Sequence, residues 1–337
     1  MQGLTRSVKW LATLMAVAML TGACGSDATD TPEAAPATTE AAAPAGGTFG
    51  LTYTQAAPFY TALIKGAEDA GAPLGFTINA VNLSNDPALE LATIQNFVTQ
   101  EVDGIILDAL GSTTVDAVKL AIEAGIPVVC ANLCLADEDM REYTVGYVTS
   151  DNSALGQLLG IEVQSYIDAN LDGTAEVIML GCSRFEVCQL RDAAFKAELG
   201  PNVVVVAQQD TLEPTEGPQI AQDLLTANPD VTVIAGMFVF GAEAGLAGVR
   251  ASGLAGEVVV FGTDLTPPLA EALLDPDGIM QGMIDQDSAT QGAVAVQMLL
   301  DVIAGELYMT NPYDQRTSAL IYSRDEPTAI EEYLAAN

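Results

Sequence analysis

Two kinds of side chain in this sequence have the chemistry to recognise a small hydroxylated molecule. Asp108, Asn132 and Asp264 each follow closely after a run of apolar residues, and their carboxylate or amide groups can form hydrogen bonds with hydroxyls. Phe59 and Tyr60 stand side by side and offer flat apolar rings. A sugar needs both kinds of group, because its hydroxyls require directional partners and its C–H face packs against rings. The residue types therefore favour a site for a sugar-like ligand.

The composition argues against several other functions. The sequence has no histidine, and its formal net charge is −34, from 11 Lys and Arg against 45 Asp and Glu. Without histidine, base catalysis would rest on carboxylates, lysine or cysteine, and we find no Ser or Cys nucleophile with a visible base. Histidine is also the commonest metal ligand, and nucleic acids attract basic patches rather than acidic surfaces. We expect a protein that is not an enzyme, uses no cofactor or metal, and binds no nucleic acid.

The first residues have the pattern of an export signal. Arg6 and Lys9 precede the apolar run Leu11–Leu20, which is too short to cross a bilayer as a helix. Small residues then lead to Cys24, and the segment resembles a bacterial lipobox, in which the cysteine thiol carries a diacylglycerol. The usual lipobox leucine lies three residues before the cysteine, whereas Leu20 lies four before Cys24, so a plain signal with an unrelated thiol is the alternative. The pattern favours a lipid-modified Cys24.

Residues 24–46 are expected to form a mobile tether between that anchor and a folded body. The segment that follows the cysteine consists mainly of Ala, Pro, Thr, Glu, Asp and Gly, with no large apolar residue to bury in a core. We therefore predict a signal peptide over residues 1–23, a lipidated cysteine with a disordered linker over residues 24–46, and a folded body from residue 47 onward. The body is expected outside the cytoplasm, in the periplasm or on the outer face, lipid-anchored to the cell membrane.

The predicted body contains four further cysteines, and an even number in an oxidising compartment favours disulfides. They are Cys130, Cys134, Cys182 and Cys188. We expect local pairing, Cys130 with Cys134 and Cys182 with Cys188, since each pair closes a short loop. Pairings between distant loops and free thiols are the alternatives. A zinc site of four thiolates is disfavoured because neither pair has the two-residue spacing of zinc knuckles.

Apolar runs alternate with amphipathic, helix-like segments along the body. The strand-like runs are residues 49–53, 76–81, 105–108, 127–130, 177–180, 203–206, 231–234 and 258–261. Near-continuous apolar strands separated by helices indicate parallel sheets that are buried on both faces. Two such series in tandem predict an α/β fold of two doubly wound parallel-sheet (Rossmann-like) lobes. In such sheets ligands bind beyond the carboxyl ends of the strands, so the site is expected there.

Short motifs in a fixed order carry a resemblance to a known family. The motifs are Pro58-Phe59-Tyr60, Val102–Ile106, Ala124–Val129, Ser150-Asp151-Asn152, Arg191-Asp192 with Phe195, Gly262–Pro267 and Ile284-Asp285-Gln286. From about Gly47 to the C-terminus, the chain resembles the periplasmic sugar-binding proteins of ABC transporters, of the ribose/galactose type (type I periplasmic binding proteins). Each motif is weak alone, and the resemblance depends on their order and spacing.

The resemblance implies a set of ligand contacts at positions that match the family's motifs. The implied ligand-binding residues are Phe59, Tyr60, Asn132, Arg191, Asp264 and Gln286. The aromatic pair covers the sugar ring, Arg191 grips hydroxyls or the ring oxygen through its planar donors, and Asp264 accepts from two adjacent hydroxyls. Gln286 matches an amide on the hinge side. Structural roles are the alternatives: core packing for Phe59, loop capping for Asn132, a surface salt bridge for Arg191. For Asp264 the alternative is a helix N-cap.

The sequence also departs from the family's pattern. Leu133 stands where relatives often have a second arginine, an Asn-Asp pair is missing near Phe240, and no Trp or Phe stands around Leu212. The pocket therefore loses several polar contacts. This indicates a ligand that is smaller or less hydroxylated than a hexose, or one held by aromatic faces such as Phe238, Phe240 and Phe185.

The resemblance further implies two lobes that close about a hinge. The N-terminal lobe is predicted over residues 47–149 plus 287–318, and the C-terminal lobe over residues 150–286 plus 319–337. Closure over a small sugar or polyol would present a surface to an ABC transporter permease, with the protein acting as a monomer. The alternatives are a nucleoside or furanose-signal binding protein and a ligand-sensing co-receptor.

Overall fold

The computed structural model describes residues 46–111, 114–306 and 313–336. The predicted signal peptide, the lipidation site Cys24 and nearly all of the predicted linker lie outside these residues. Among the helices that are described, none combines the length and the hydropathy that a membrane crossing requires.

A six-stranded parallel sheet forms the centre of the first lobe. Its strands are β1 (Gly47–Tyr53), β2 (Phe76–Asn82), β3 (Gly104–Leu107), β4 (Val128–Ala131), β5 (Gly146–Ser150) and β11 (Asp314–Thr317). They lie in the order β11-β5-β4-β3-β1-β2, and each neighbouring pair is parallel. Every residue of β3 and β4 is buried, because apolar clusters cover both faces of the sheet.

Helices cover this sheet on both sides. They are α1 (Pro58–Gly71), α2 (Pro87–Thr99), α3 (Thr114–Glu123), α4 (Asp137–Tyr143) and α10 (Ser288–Ala304), with a 3₁₀ turn at Ala72–Leu74. Helices α1 and α10 pack backbone to backbone, since a Cβ atom at Gly66 would lie 1.9 Å from the carbonyl oxygen of Ala289. Glycine at this position therefore allows α10 to pack closely against α1 in the first lobe.

A second six-stranded sheet forms the centre of the other lobe. Its strands are β6 (Ala175–Gly181), β7 (Val203–Asp210), β8 (Val231–Gly236), β9 (Val259–Thr263), β10 (Met280–Asp285) and β12 (Leu320–Ser323). The order is β12-β10-β9-β8-β6-β7, and β12 alone runs antiparallel to its neighbour. The surrounding helices are α5 (Asn152–Asn170), α6 (Glu186–Glu198), α7 (Gly217–Ala227), α8 (Val239–Ser252), α9 (Pro267–Leu274) and α11 (Pro327–Ala336).

The described chain passes between the two lobes at three places. The first lies between β5 and α5, the second between β10 and α10, and the third between β11 and β12. The three segments therefore lie near residues 150–152, 285–288 and 317–320. The buried amide of Gln291 ties two of them together, donating from Nε2 to Ser150 Oγ at 2.8 Å and to the Gln286 carbonyl at 3.3 Å.

The predicted fold class, two doubly wound α/β lobes, is confirmed. Each of the eight predicted apolar runs overlaps a strand of the structure. Four further strands, β5, β10, β11 and β12, were not predicted. β11 and β12 occupy sheet edges and contain exposed residues. β11 is polar throughout, and the apolar run of β12, Leu320–Tyr322, is only three residues long, too short to indicate a buried strand.

Candidate ligand-binding site

A cavity of about 260 Å³ lies at the carboxyl ends of both sheets, and both lobes contribute to its lining. The six side chains implied by the resemblance all line it: Phe59, Tyr60, Asn132, Arg191, Asp264 and Gln286. Their contact with a ligand stays a prediction. Within each lobe the topology explains this convergence, because parallel strands end at the same edge of their sheet. The carboxyl edges of the two sheets then lie on either side of the cavity.

The first wall of the cavity is organised around the buried carboxylate of Asp108, at the end of β3. Its Oδ1 accepts hydrogen bonds from Asn132 Nδ2 at 3.2 Å and from the backbone N–H of Leu133 at 3.1 Å. Its Oδ2 accepts from the backbone N–H of Thr54 at 3.2 Å. Asp108 therefore joins the loops that follow β1 and β4. Burial raises the pKa of Asp108 to about 7, although these donors act in the opposite direction.

These contacts fix what Asn132 and Tyr60 can offer to a ligand. The Asn132 side-chain nitrogen Nδ2 donates to Asp108 and also to the Tyr60 hydroxyl at 3.3 Å, so the side-chain oxygen Oδ1 of Asn132 is the end left to accept. The Tyr60 hydroxyl lies 2.6 Å from Thr54 Oγ1, and the residue is 6% exposed. Burial, and then the charge of Asp108, raises the pKa of Tyr60. Tyr60 thus contributes mainly its ring and holds the wall in place.

The second wall carries a buried charged set. Arg191 Nη1 lies 3.7 Å from Asp264 Oδ2, and Gln286 Nε2 donates to Asp264 Oδ1 at 2.5 Å. The backbone N–H of Val239 donates to Asp264 Oδ2 at 3.1 Å. Asp264 accepts that bond from the first residue of α8, so the carboxylate also lies at a helix N-terminus, where negative charge is favourable.

Two hydrogen bonds within the protein fix the position of the Arg191 side chain. Its Nε donates to Asn152 Oδ1 at 2.8 Å, and its Nη1 donates to the Met237 carbonyl at 3.0 Å. Helices α5 and α6 meet closely here, because a Cβ atom at Gly156 would lie 2.1 Å from the Arg191 backbone oxygen. Burial lowers the pKa of the Arg191 guanidinium, and the carboxylate of Asp264 opposes that shift. The arginine is therefore a fixed donor at the base of the cavity.

The candidate ligand-binding residues Asn132 and Asp264 share an unusual backbone geometry. Their φ angles are 66° and 68°, in the left-handed region. Asn and Asp adopt this region more readily than other residues with a side chain. Each therefore turns the chain sharply just beyond its strand.

Aromatic rings line both walls. Phe59 meets Tyr60 edge-on with ring centroids 5.1 Å apart, and Phe238 meets Phe240 in the same manner at 5.6 Å. Phe185 is 37% exposed, and the Arg184 guanidinium lies over its ring at 4.8 Å from the centroid. Phe59 is half-buried rather than fully packed in the core, so part of its ring stays accessible.

A disulfide closes a loop on each wall. The structure contains Cys130–Cys134, whose loop carries Asn132, and Cys182–Cys188, whose loop carries Phe185 and leads into α6. Cys182 and Cys188 themselves line the cavity. Both loops are short, with sequence separations of 4 and 6 residues, so each disulfide limits the movement of a cavity wall.

Sequence reasoning missed the central role of Asp108. Its position at a strand end was the available signal, but only the structure shows that the carboxylate connects Thr54, Asn132 and Leu133. Arg184 and Glu213 also line the cavity and were not among the predicted residues. Within the described part of the chain, no group of three or more Cys, Asp or Glu residues is placed to hold a metal ion.

Comparison with known proteins agrees with this architecture. The periplasmic binding protein domain family matches residues 49–307. The ribose import binding protein RbsB of Salmonella typhimurium is 30% identical, over 74% of this chain and 82% of the relative. The ABC transporter periplasmic-binding protein YphF of Escherichia coli is 27% identical, over 80% of this chain and 85% of the relative.

A solved structure has the same fold. It is an ABC transporter solute binding protein from Bacillus halodurans with bound myo-inositol, with a TM-score of 0.73 and 24% identity over 87% of this chain and 99% of the other. Members of the matched family bind solutes, which confirms the prediction that this chain is not an enzyme. The chain belongs to the periplasmic binding protein family, among the sugar-binding proteins of ABC transporters.

Proposed function

We propose that this protein is an extracytoplasmic substrate-binding lipoprotein that captures a small sugar or polyol between its lobes and delivers it to an ABC transporter permease. One observation carries the proposal: Arg191, Asp264 and Gln286 form a buried polar set on one wall of a cavity whose other wall presents Asn132. Fixed donors and acceptors on two walls suit a ligand with several hydroxyls.

The proposed mechanism is closure of the two lobes about the three crossing segments. The predicted bounds, residues 47–149 plus 287–318 for one lobe and 150–286 plus 319–337 for the other, belong to this proposal. Closure brings Asn132 toward Asp264 across the ligand. The ligand shifts the open–closed equilibrium because it contacts both walls only in the closed state. The permease then recognises the closed arrangement of the two lobes.

The lipid anchor at Cys24 and the monomeric state are further parts of the proposal. A thioether-linked diacylglycerol would retain the protein at the cell membrane while the linker lets the body reach a permease. Replacing Cys24 with Ala should release the protein into the soluble extracytoplasmic fraction, and mass spectrometry of the wild-type N-terminus should show the lipid. A wild-type protein that is already soluble and unmodified would contradict the anchor.

The ligand class is tested first by thermal shift of residues 47–337 with pentoses, hexoses, polyols and nucleosides. D-ribose and myo-inositol lead the panel because relatives are named for ribose or contain inositol. Ligand at a hundred times its dissociation constant should stabilise the protein by about 2.7 kcal/mol. Stabilisation by nucleosides alone would favour the alternative of a nucleoside-binding protein, and stabilisation by none would contradict the proposed function.

The site is tested by calorimetry with the ligand so found. Asp264→Ala and Arg191→Ala should each weaken binding by about 1.5–3 kcal/mol, or about 10- to 150-fold, the range for hydrogen bonds to charged groups. Arg250→Ala is the control, since Arg250 lies in the same lobe but forms exposed ion pairs with Asp275 and Asp277. Unchanged affinity in both Asp264→Ala and Arg191→Ala would overturn the site assignment.

A further inference from the structure

The backbone carbonyl of Gln286 joins the three segments that cross between the lobes. Thr317 Oγ1, at the third crossing, donates a hydrogen bond to this carbonyl at 3.0 Å. Ser150 Oγ, at the first crossing, donates to it at 3.5 Å, the longest of these contacts. Gln286 itself lies in the second crossing segment. All three crossing segments therefore meet at one carbonyl oxygen.

The side chain of Gln291, on α10, contacts all three partners at this point. Its Nε2 donates to Ser150 Oγ at 2.8 Å, to the Gln286 carbonyl at 3.3 Å and to Thr317 Oγ1 at 3.4 Å. A backbone carbonyl can only accept, so the amide nitrogen must face Gln286. The Oε1 atom is then buried and receives no hydrogen bond from the described residues, which is unfavourable for folding. The contacts with the crossing segments explain why a polar residue occupies this buried position.

Helix α10 fixes Gln291 to the first lobe. A Cβ atom at Gly292 would lie 2.0 Å from the carbonyl oxygen of Leu63 in α1, and the contact between Gly66 and Ala289 is equally close. The backbones of the two helices therefore touch on both sides of Gln291. Because atoms packed this closely leave no room to slide, Gln291 keeps its position relative to α1.

The side chain of Gln286 lies in the candidate site. Its Nε2 donates to Asp264 Oδ1 at 2.5 Å, and both side chains line the cavity. Ser150, Gln291 and Thr317 are not among the residues that line it. A shift of the Gln286 backbone would move its amide and disturb the hydrogen bond to Asp264. One residue thus connects the crossing segments with the ligand-binding wall.

We infer that Ser150, Gln291 and Thr317 are positioning residues for ligand binding. They hold the backbone of Gln286, and through its side chain they hold Asp264 in the orientation that a ligand meets. Lobe closure changes the backbone of the crossing segments, so hydrogen bonds between these segments favour the arrangement in which they form. The inference rests on the proposed function for its effect on affinity, whereas its effect on the lobes can be measured without a ligand.

Calorimetry with D-ribose tests the effect on binding. Thr317→Val keeps the shape of the side chain without its hydroxyl, whereas Thr317→Ser keeps the hydroxyl. Thr317→Val and Gln291→Met should each weaken binding about 3- to 10-fold, the range for one lost hydrogen bond, and Thr317→Ser should bind as the wild type does. Thr144→Val is the control, since Thr144 Oγ1 is buried and donates to the Met140 carbonyl at 2.7 Å, away from the crossing segments. The control should leave affinity unchanged.

Electron paramagnetic resonance between two spin labels tests the effect on the lobes without a ligand. The labels are attached at Leu91→Cys on α2 and Leu190→Cys on α6, both exposed positions, in the soluble Cys24→Ala form. Thr317→Val and Gln291→Met should broaden or shift the distribution of distances between the lobes, and the two control variants should retain the wild-type distribution.

The two measurements separate this inference from the proposed function. A distance distribution that stays unchanged in both Thr317→Val and Gln291→Met would overturn the inference, whether or not D-ribose binds. Unchanged affinity for D-ribose in both variants would overturn it as well. An altered distribution in a protein that binds no sugar would support the role of these residues at the crossing segments and overturn the proposed function.

Discussion

The buried ion pair of Arg191 with Asp264 should be coupled more strongly than a shorter pair on the surface. Arg191 Nη1 and Asp264 Oδ2 are 3.7 Å apart, and the side chains are only 5% and 11% exposed. Arg250 Nη2 and Asp277 Oδ2 are 2.8 Å apart, but the side chains are 43% and 22% exposed. At 3.7 Å and an effective dielectric constant of about 20, the attraction is about 4 kcal/mol. Exposed pairs contribute about 0.2–1 kcal/mol because water and salt screen them.

Double-mutant cycles measure the coupling energy of the buried pair and of the surface pair. Arg191→Met or Asp264→Asn alone should lower the free energy of unfolding by about 3–5 kcal/mol, because each leaves the partner's charge buried without compensation. The double variant should cost less than the sum of the two, with a coupling energy of about 2–4 kcal/mol, since it removes both charges. The matched cycle of Arg250→Met and Asp277→Asn should give a coupling energy below about 1 kcal/mol.

Urea denaturation of the ligand-free body, followed by fluorescence and by circular dichroism, measures both cycles. The second lobe contains all four residues, so its transition is the one to compare if the lobes unfold separately. Additive effects within about 0.5 kcal/mol for the pair of Arg191 and Asp264 would refute the reasoning. Equal coupling energies in the two cycles would also refute the reasoning, because burial would then not determine how strongly an ion pair is coupled.

Three further predictions concern the loops, the hinge and the helix contact behind the site. Serines at both cysteines of the Cys130–Cys134 disulfide should lower the free energy of unfolding by about 2 kcal/mol, and reductant should no longer affect that loop. Burial, with neighbouring carboxylates, raises the pKa of Asp285 to about 7, so the folded protein holds a proton there that the unfolded chain binds only below its ordinary pKa. Denaturation midpoints should therefore fall as pH rises from about 4.5 to 7 and level off above, where Asp285 is ionised in both states; Asp285→Asn should reduce that fall, and an unchanged slope would contradict it. Gly156→Ala should weaken ligand binding at least tenfold, because its Cβ would displace the backbone of Arg191; unchanged calorimetric affinity would contradict the contact.

Patterns that are local in the sequence predicted the fold class well. Buried parallel strands require a continuous apolar run, so the runs at residues 105–108 and 231–234 mark β3 and β8 without any knowledge of their neighbours. The edge strand β11 is polar and the edge strand β12 has an apolar run of only three residues, because each pairs with a strand on one side only and contains exposed residues. Their assignment to different sheets depends on the path of the whole chain.

The candidate site, too, could be predicted from the sequence only in part. The sequence placed Asn132 and Asp264 at strand ends, and the topology of parallel sheets then required that each lie at the carboxyl edge of its own sheet. The sequence could not show that Asp108 accepts a hydrogen bond from the Asn132 side-chain nitrogen, or that Gln286 donates a hydrogen bond to Asp264. Such contacts join residues that are tens of positions apart, and no local spacing encodes them.

The sequence by itself determined the chemistry available to this protein: its acidic surface, its strands and helices, and the polar and aromatic residues at the strand ends. Only the tertiary structure decided which of those groups remain free for a ligand. The reason is physical. Propensity and apolar periodicity act over a few residues, whereas burial, the pKa of Asp108 and the pairing of Arg191 with Asp264 depend on the packing of segments far apart in the chain.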